Sequence, residues 1–136
     1  MALTQEQRNT LSILGYLYYR MGRLDNAATV FAALDRLAPE SMDAVARRAV
    51  ATLAAIETDR GNAEKALQLL HRVMAGQTLS TRLAALHLLR ARALWQLGRK
   101  DEARAAVNEY LYLAGSGPSA QALAAKPPFN SMGKRV

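Results

Sequence analysis

Cysteine is absent from the 136 residues. That excludes a disulfide framework, a zinc–thiolate centre and a thiol nucleophile. A chain of this length buries about two-thirds of its unfolded surface in one domain, so it needs no such staple. Proline occurs four times, and only Pro39 stands before residue 118. Strand-like runs of β-branched residues are missing, while alanine and leucine abound. An all-α fold is expected. The two histidines, His71 and His87, each lack a second ligand at i+3 or i+4. They read as surface or partly buried helix residues, not as metal ligands. There is no Ser/His/Asp set, and no glycine-rich phosphate loop follows a strand. No enzyme, metal or cofactor site is expected. No apolar run nears the roughly 20 residues of a membrane-spanning helix. The start, Met-Ala-Leu-Thr-Gln-Glu-Gln, lacks the basic and apolar segments of a signal peptide. A cytoplasmic protein without membrane insertion is expected.

Acidic residues are lacking in one region, residues 115–136, which carry Lys126, Lys134 and Arg135. The net charge of +7 is therefore partly a property of that end. The arginines of the remainder are scattered and form no stripe interleaved with aromatics, so no nucleic-acid groove is expected.

What is present is a phrase used three times, Gly-x-x-(Asp/Glu)-x-Ala. It stands as Gly22…Asp25…Ala27, Gly61…Glu64…Ala66 and Gly98…Asp101…Ala103, its glycines 39 and 37 residues apart. Each phrase lies between two apolar-periodic stretches of helical length, the mark of a helix–turn–helix unit repeated along an α-solenoid. Thr4 and Gln7 make a capping box before a helix over about 5–20. Asp25, Glu64 and Asp101 suit the starts of the second helices, where a carboxylate meets exposed amides and the positive end of the dipole. Pro39 closes the first unit. Ser41 is expected to cap a helix over 42–59, and Gly76 to follow one over 63–75. Thr78 or Ser80 is expected to start a helix over about 80–97, and the last helix spans 101–114. The units are about 5–39, 41–76 and 79–114 within one domain, 1–114. Residues 115–136 read as a flexible tail, with Ser119–Ala125 able to form a transient helix and Phe129 a candidate docking element.

Within the first unit, Leu11, Leu14, Gly15 and Tyr18 share one face of a helix, and Ala27, Phe31 and Leu34 form the matching face. The small Gly15 and Ala27 let the two helices approach closely. Together with Gly22 and Pro39, this set resembles the tetratricopeptide repeat (TPR) at every position over residues 8–41. The second unit keeps Val50, Leu53, Ala54, Gly61, Ala66, Leu70 and Val73, with Glu57 in place of the aromatic and Thr78 in place of the proline. The third keeps Ala91, Leu94, Gly98, Ala103, Val107 and Tyr110, with His87 and Arg90 at two apolar positions. The spacing exceeds the usual repeat of about 34 residues.

The resemblance implies that the first helix of each unit lines a concave side. The groove residues are then Asn9, Ser12, Tyr16 and Tyr19 from the first unit, Ala51 and Ala55 from the second, and Leu88, Arg92 and Trp95 from the third. Aromatics flanking small residues suit a partner helix or extended segment. Lysine and asparagine clamps for a C-terminal carboxylate are missing, since Ser12, Tyr16 and Ala55 stand there.

As a whole the chain resembles small TPR proteins of bacterial type III secretion, of the YscY type. The likeness runs through Leu3-Thr4 and Gln7, Leu14-Gly15-Tyr16-Leu17, Gly22, Ala27, Leu34, Leu37-Ala38-Pro39-Glu40, Arg47-Arg48, Gly61, Glu64, Asp101, Ala103-Arg104 and Glu109-Tyr110-Leu111 to Leu113. It implies a chaperone that holds a small secreted YscX-like component and helps present it to the export gate. The runner-up is a class II chaperone of secreted translocators, a family that usually carries a longer N-terminal helical extension than the few residues before the first repeat here. An alternative of another class is a homo-oligomeric adaptor whose groove is filled by a second copy or by its own tail.

Overall fold

The computed structural model describes residues 3–37, 43–75 and 83–115, all of whose regular elements are helices. The chain divides into two compact units, Met1–Ala75 and Gly76–Val136. The first holds α1 (Gln5–Arg20), α2 (Leu24–Arg36), α3 (Ala44–Asp59) and α4 (Ala63–Met74). The second holds α5 (Ala84–Gln96) and α6 (Lys100–Ala114). Each consecutive pair α1–α2, α3–α4 and α5–α6 is a hairpin, and α2 also packs on α3. The fold is the expected all-α, TPR-like solenoid of helix pairs. Pro39, Ser41, Gly76, Thr78, Ser80 and the whole of 116–136, including Ser119–Ala125 and Phe129, lie outside the described residues.

The repeated phrase is a helix stop followed by a helix start. Gly22, Gly61 and Gly98 have φ of 78°, 86° and 76°, the left-handed region that costs a residue with a Cβ. At each, the residue after the glycine donates back to a carbonyl five positions earlier: Arg23 to Tyr18 at 2.9 Å, Asn62 to Glu57 at 2.7 Å and Arg99 to Leu94 at 3.0 Å. The glycine itself donates to Tyr19, Thr58 and Trp95 respectively. This doubly bonded closure satisfies carbonyls that the helix end leaves open. The next helix begins two residues after the glycine in each case, with Arg23, Asn62 or Arg99 as N-cap and no side-chain cap bond. Asp25, Glu64 and Asp101 sit in the first turns, so they act through the dipole without being capping ligands.

The capping box at Thr4 forms as expected, with Gln7 N donating to Thr4 Oγ1 at 3.1 Å and Thr4 N to Gln7 Oε1 at 2.9 Å. The start of α3 differs from expectation. Its cap is Asp43, two residues after Ser41, and Oδ1 accepts from Ala46 N at 2.9 Å. The same carboxylate receives a two-pronged bond from Arg8, both distances 2.8 Å. Arg8 is 5% exposed, so α1 is tied to the head of α3. Arg8 and the Ala46 amide hold the Asp43 carboxyl far below its ordinary range. A folded-state value below the unfolded one, about 3.9, contributes stability that is complete above the unfolded value and is lost as the pH falls from there through the folded one. The melting-temperature gap between wild type and Arg8→Met is therefore expected to be constant from pH 7 to 5 and to narrow below about pH 4. A gap that stays the same down to pH 2.5 would show that the pair contributes no proton-linked stability.

The core of the first unit follows the repeat pattern. Ala27, Phe31 and Leu34 of α2, Val50, Leu53 and Ala54 of α3, and Ala66, Leu70 and Val73 of α4 are all buried. A Cβ on Gly15 would stand 2.9 Å from two ring atoms of Phe31 and 3.1 Å from Val30. Glycine is thus needed at 15 for close approach, since its backbone is ordinary helix. Leu14 departs from the expected core face and is 39% exposed. Its counterpart Leu53 is 3% exposed, because α2 lies against α3; no described helix precedes α1. In the second unit, Leu83, Ala84 and Leu113 form a small cluster with Leu86, Tyr110 and Ala114 packed on it.

Candidate protein-binding surfaces

On α1 the groove residues Asn9, Ser12, Tyr16 and Tyr19 recur at three- and four-residue steps and lie on one side of the helix. Asn9 is exposed, and Ser12 and Tyr19 are half-buried. Tyr16 is 49% exposed. The rings of Tyr16 and Tyr19 pack at 6.5 Å between centroids, tilted by 52°. Arg20 lies over Tyr16 at 5.9 Å and donates to its hydroxyl at 3.4 Å. Gln5 holds Asn9 Oδ1 at 3.0 Å. Ala51 and Ala55 are half-buried on α3, with no bulk above them from their own side chains. The first unit therefore presents a tyrosine pair whose apolar faces are reachable and whose positions are held by neighbours, the character of a contact anchor.

The α1 surface has a second apolar set. Ile13, Leu14, Leu17 and Met21 are 63%, 39%, 52% and 64% exposed. By spacing Leu14 belongs to the core face and Leu17 to the family likeness, while Ile13 and Met21 carry no expectation. Positions 14 and 17 match Leu53 and Ile56 of α3, both of which are buried in a helix that packs on α2.

In the second unit Leu88, Arg92 and Trp95 come together. They form one wall of a mostly apolar trough of about 840 Å³. The opposite wall is Ala103, Arg104 and Val107 of α6. Trp95 is 58% exposed, and Lys100 Nζ stands 5.2 Å from its ring centroid. The α6 wall was not named among the groove residues, since sequence reading assigned Ala103 and Val107 to the interior of the hairpin.

His87 is half-buried, and burial pushes its pKa below the ordinary value. Its Nδ1 is enclosed and has no hydrogen-bond partner. Among the described residues no three His, Asp or Glu side chains gather as a metal site. None of the described helices is long and apolar enough to cross a membrane.

Comparison with known proteins agrees with this geometry. The model of the tetratricopeptide repeat matches residues 9–41 and 84–116. The hairpin α3–α4 is outside those matches, in keeping with its buried Glu57 where the first unit has Tyr18. No curated protein sequence matches the chain. Among solved structures it is similar to PcrH of Pseudomonas aeruginosa. PcrH in complex with the chaperone binding region of PopD is 28% identical, with a TM-score of 0.74 over 91% of this chain and 87% of that one. PcrH with the corresponding region of PopB is 27% identical, with a TM-score of 0.73 over 91% and 94%. The Yersinia enterocolitica type III secretion translocator chaperone SycD is 21% identical, with a TM-score of 0.71 over 90% and 86%, and shares the fold. These matches do not confirm the expected YscY type, and the runner-up, the translocator chaperones, matches better. This chain carries TPR repeats on a helical scaffold similar to that of translocator chaperones of type III secretion.

Proposed function

We propose that this protein is a cytoplasmic, non-enzymatic chaperone of the class II type, which holds a secreted translocator of a type III secretion system before export. The observation that carries the reading is the likeness to PcrH over nine-tenths of both chains in its complex with a translocator's chaperone-binding region. The surfaces supply the physical counterpart. Tyr16 and Tyr19 on the first unit are apolar groups suited to contact with an apolar segment, and so, on the second unit by itself, are Leu88, Arg92 and Trp95. Asn9, Ser12, Ala51 and Ala55 are the proposed smaller contacts beside the tyrosines.

Co-expression with the translocators and the small export components of the same secretion system tests the reading, with light scattering to read stoichiometry. A discrete complex with a translocator supports it. A one-to-one complex with a small YscX-like protein moves the protein to the YscY type, and a cargo-free oligomer moves it to an adaptor. In the translocator complex, Tyr16→Ala with Tyr19→Ala is expected to weaken binding about 30-fold, roughly 2 kcal/mol, with helicity retained. Unaltered affinity in the folded double variant removes α1 from the interface.

A further inference from the structure

We propose that His87 makes the second unit acid-sensitive: a proton taken up there loosens α5 from α6, and with it the surface that carries Leu88, Arg92 and Trp95. The residue is out of place by type. Eleven positions before the turn glycine, the first hairpin has Leu11, the second has Val50 and the third has His87. Val50 is wholly buried. Along α5 the imidazole shares its side of the helix with Ala91 and Leu94, four and seven residues on, which are 5% and 0% exposed. A titratable ring thus stands in the seam of the α5–α6 hairpin, where the other two hairpins carry an aliphatic side chain.

That seam suits only the neutral ring. Nδ1 is enclosed and has no hydrogen-bond partner. A neutral imidazole can keep its proton on Nε2 and leave Nδ1 as a bare acceptor. An imidazolium carries N–H on both nitrogens, so the enclosed Nδ1–H would face no acceptor, a costly burial. Two charged groups also act on the ring. Glu109 of α6 favours the proton, and Arg90 of α5 opposes it. Burial is the largest influence and holds the ring below its ordinary range. Tyr110, next to Glu109, packs on the cluster of Leu83, Ala84 and Leu113. The proton is therefore accommodated by turning the ring out to water, which gives up the packing of α5 on α6. Below about pH 6.5 the histidine of an unfolded chain takes up a proton that the closed hairpin refuses. The stability of the hairpin is then complete above that value and is lost as the pH falls from there towards the folded one. The Asp43 pair of the first unit responds only below about pH 4, so the two windows do not overlap.

Amide hydrogen exchange in the full chain tests this hairpin by itself. Protection factors of α5 and α6, corrected for the intrinsic pH dependence of exchange, are compared at pH 7.5 and 5.5. In the wild type they are expected to fall about tenfold, the effect of one unit of displaced proton uptake on the opening equilibrium. His71→Asn is the control, since His71 is exposed on α4, and is expected to show the same fall. In His87→Leu, which restores the aliphatic type of the other hairpins, the fall is expected to disappear. An equal fall in His87→Leu, or none in the wild type, overturns the proposal. A rise in the wild type overturns it too, and means that Glu109 keeps the imidazolium in the seam. Titration of the two histidine rings by NMR needs no variant. The His87 ring is expected to take up its proton below the ordinary value of about 6.5, and titration at or above that value overturns the proposal. Both measurements use the chain alone, so their failure leaves the chaperone reading standing.

Discussion

Phe31→Ala is expected to lower the unfolding free energy by about 3–5 kcal/mol, measured by denaturant titration with the slope unchanged. Phe31 is 2% exposed, and its ring rests where a side chain on residue 15 would begin. The cavity it leaves is bounded on one side by the bare backbone of Gly15, which has no atoms to relax into the space. The glycine makes the argument testable by coupling. In the wild type, Gly15→Ala sets a methyl 2.9 Å from the Phe31 ring, and is expected to destabilise despite alanine's better helix propensity. In the Phe31→Ala background the same substitution has room, fills part of the cavity, and is expected to stabilise. A double-mutant cycle reads this as a change of sign. Additive effects would mean that the ring does not rest on Gly15.

Glu57→Ala is expected to cost about 2–3 kcal/mol. Glu57 is 1% exposed, and its carboxylate gathers three side chains at the second turn: Asn62 Nδ2 at 2.8 Å, Arg60 Nη1 at 3.2 Å and Lys65 Nζ at 3.4 Å. Arg60 reaches on to Asp25 at 3.3 Å, which ties the end of α3 to the start of α2. Removing one partner of a buried pair costs about 3–5 kcal/mol when the other charge is stranded. Here the side chains of Arg60 and Lys65 are 33% and 58% exposed and can rehydrate, so the lower figure applies. The third hairpin carries Leu94 at the aligned position, wholly buried. Glu57→Leu is therefore expected to be more stable than Glu57→Ala, since an apolar side chain of similar volume replaces the network without a cavity. If the leucine variant proves the less stable of the two, the carboxylate's bonds outweigh packing at this turn.

Glu57 also shows where reading the chain stopped. It was legible as a departure from the repeat's aromatic, but not as a buried anchor. Its partners Arg60, Asn62 and Lys65 are near in sequence, yet only the reversal at Gly61 points them at one carboxylate. Asp43 is a similar case. A cap for α3 was expected two residues earlier, at Ser41. The carboxylate that closes the helix is the one that also meets Arg8, a partner 35 residues away. No local pattern carries that pairing. Leu14 fitted the apolar face by spacing alone, and its exposure followed from the lack of a described helix before α1.

The sequence by itself determined the helices and their turns. The glycine at each reversal, the first-turn acids and the three- and four-residue apolar periods act over a few residues, and backbone sterics and dipoles work at that range. The repetition of one phrase was enough to show that the same hairpin is built three times. Tertiary structure alone decided which of several similar apolar faces is covered. Leu53 and Leu14 stand at the same repeat position, as do Phe31 and Val107. One member of each pair is buried by a following or preceding helix, and the other is exposed or half-buried. The hydrophobic effect acts on area removed from water, and that area depends on neighbours that arrive from elsewhere in the chain.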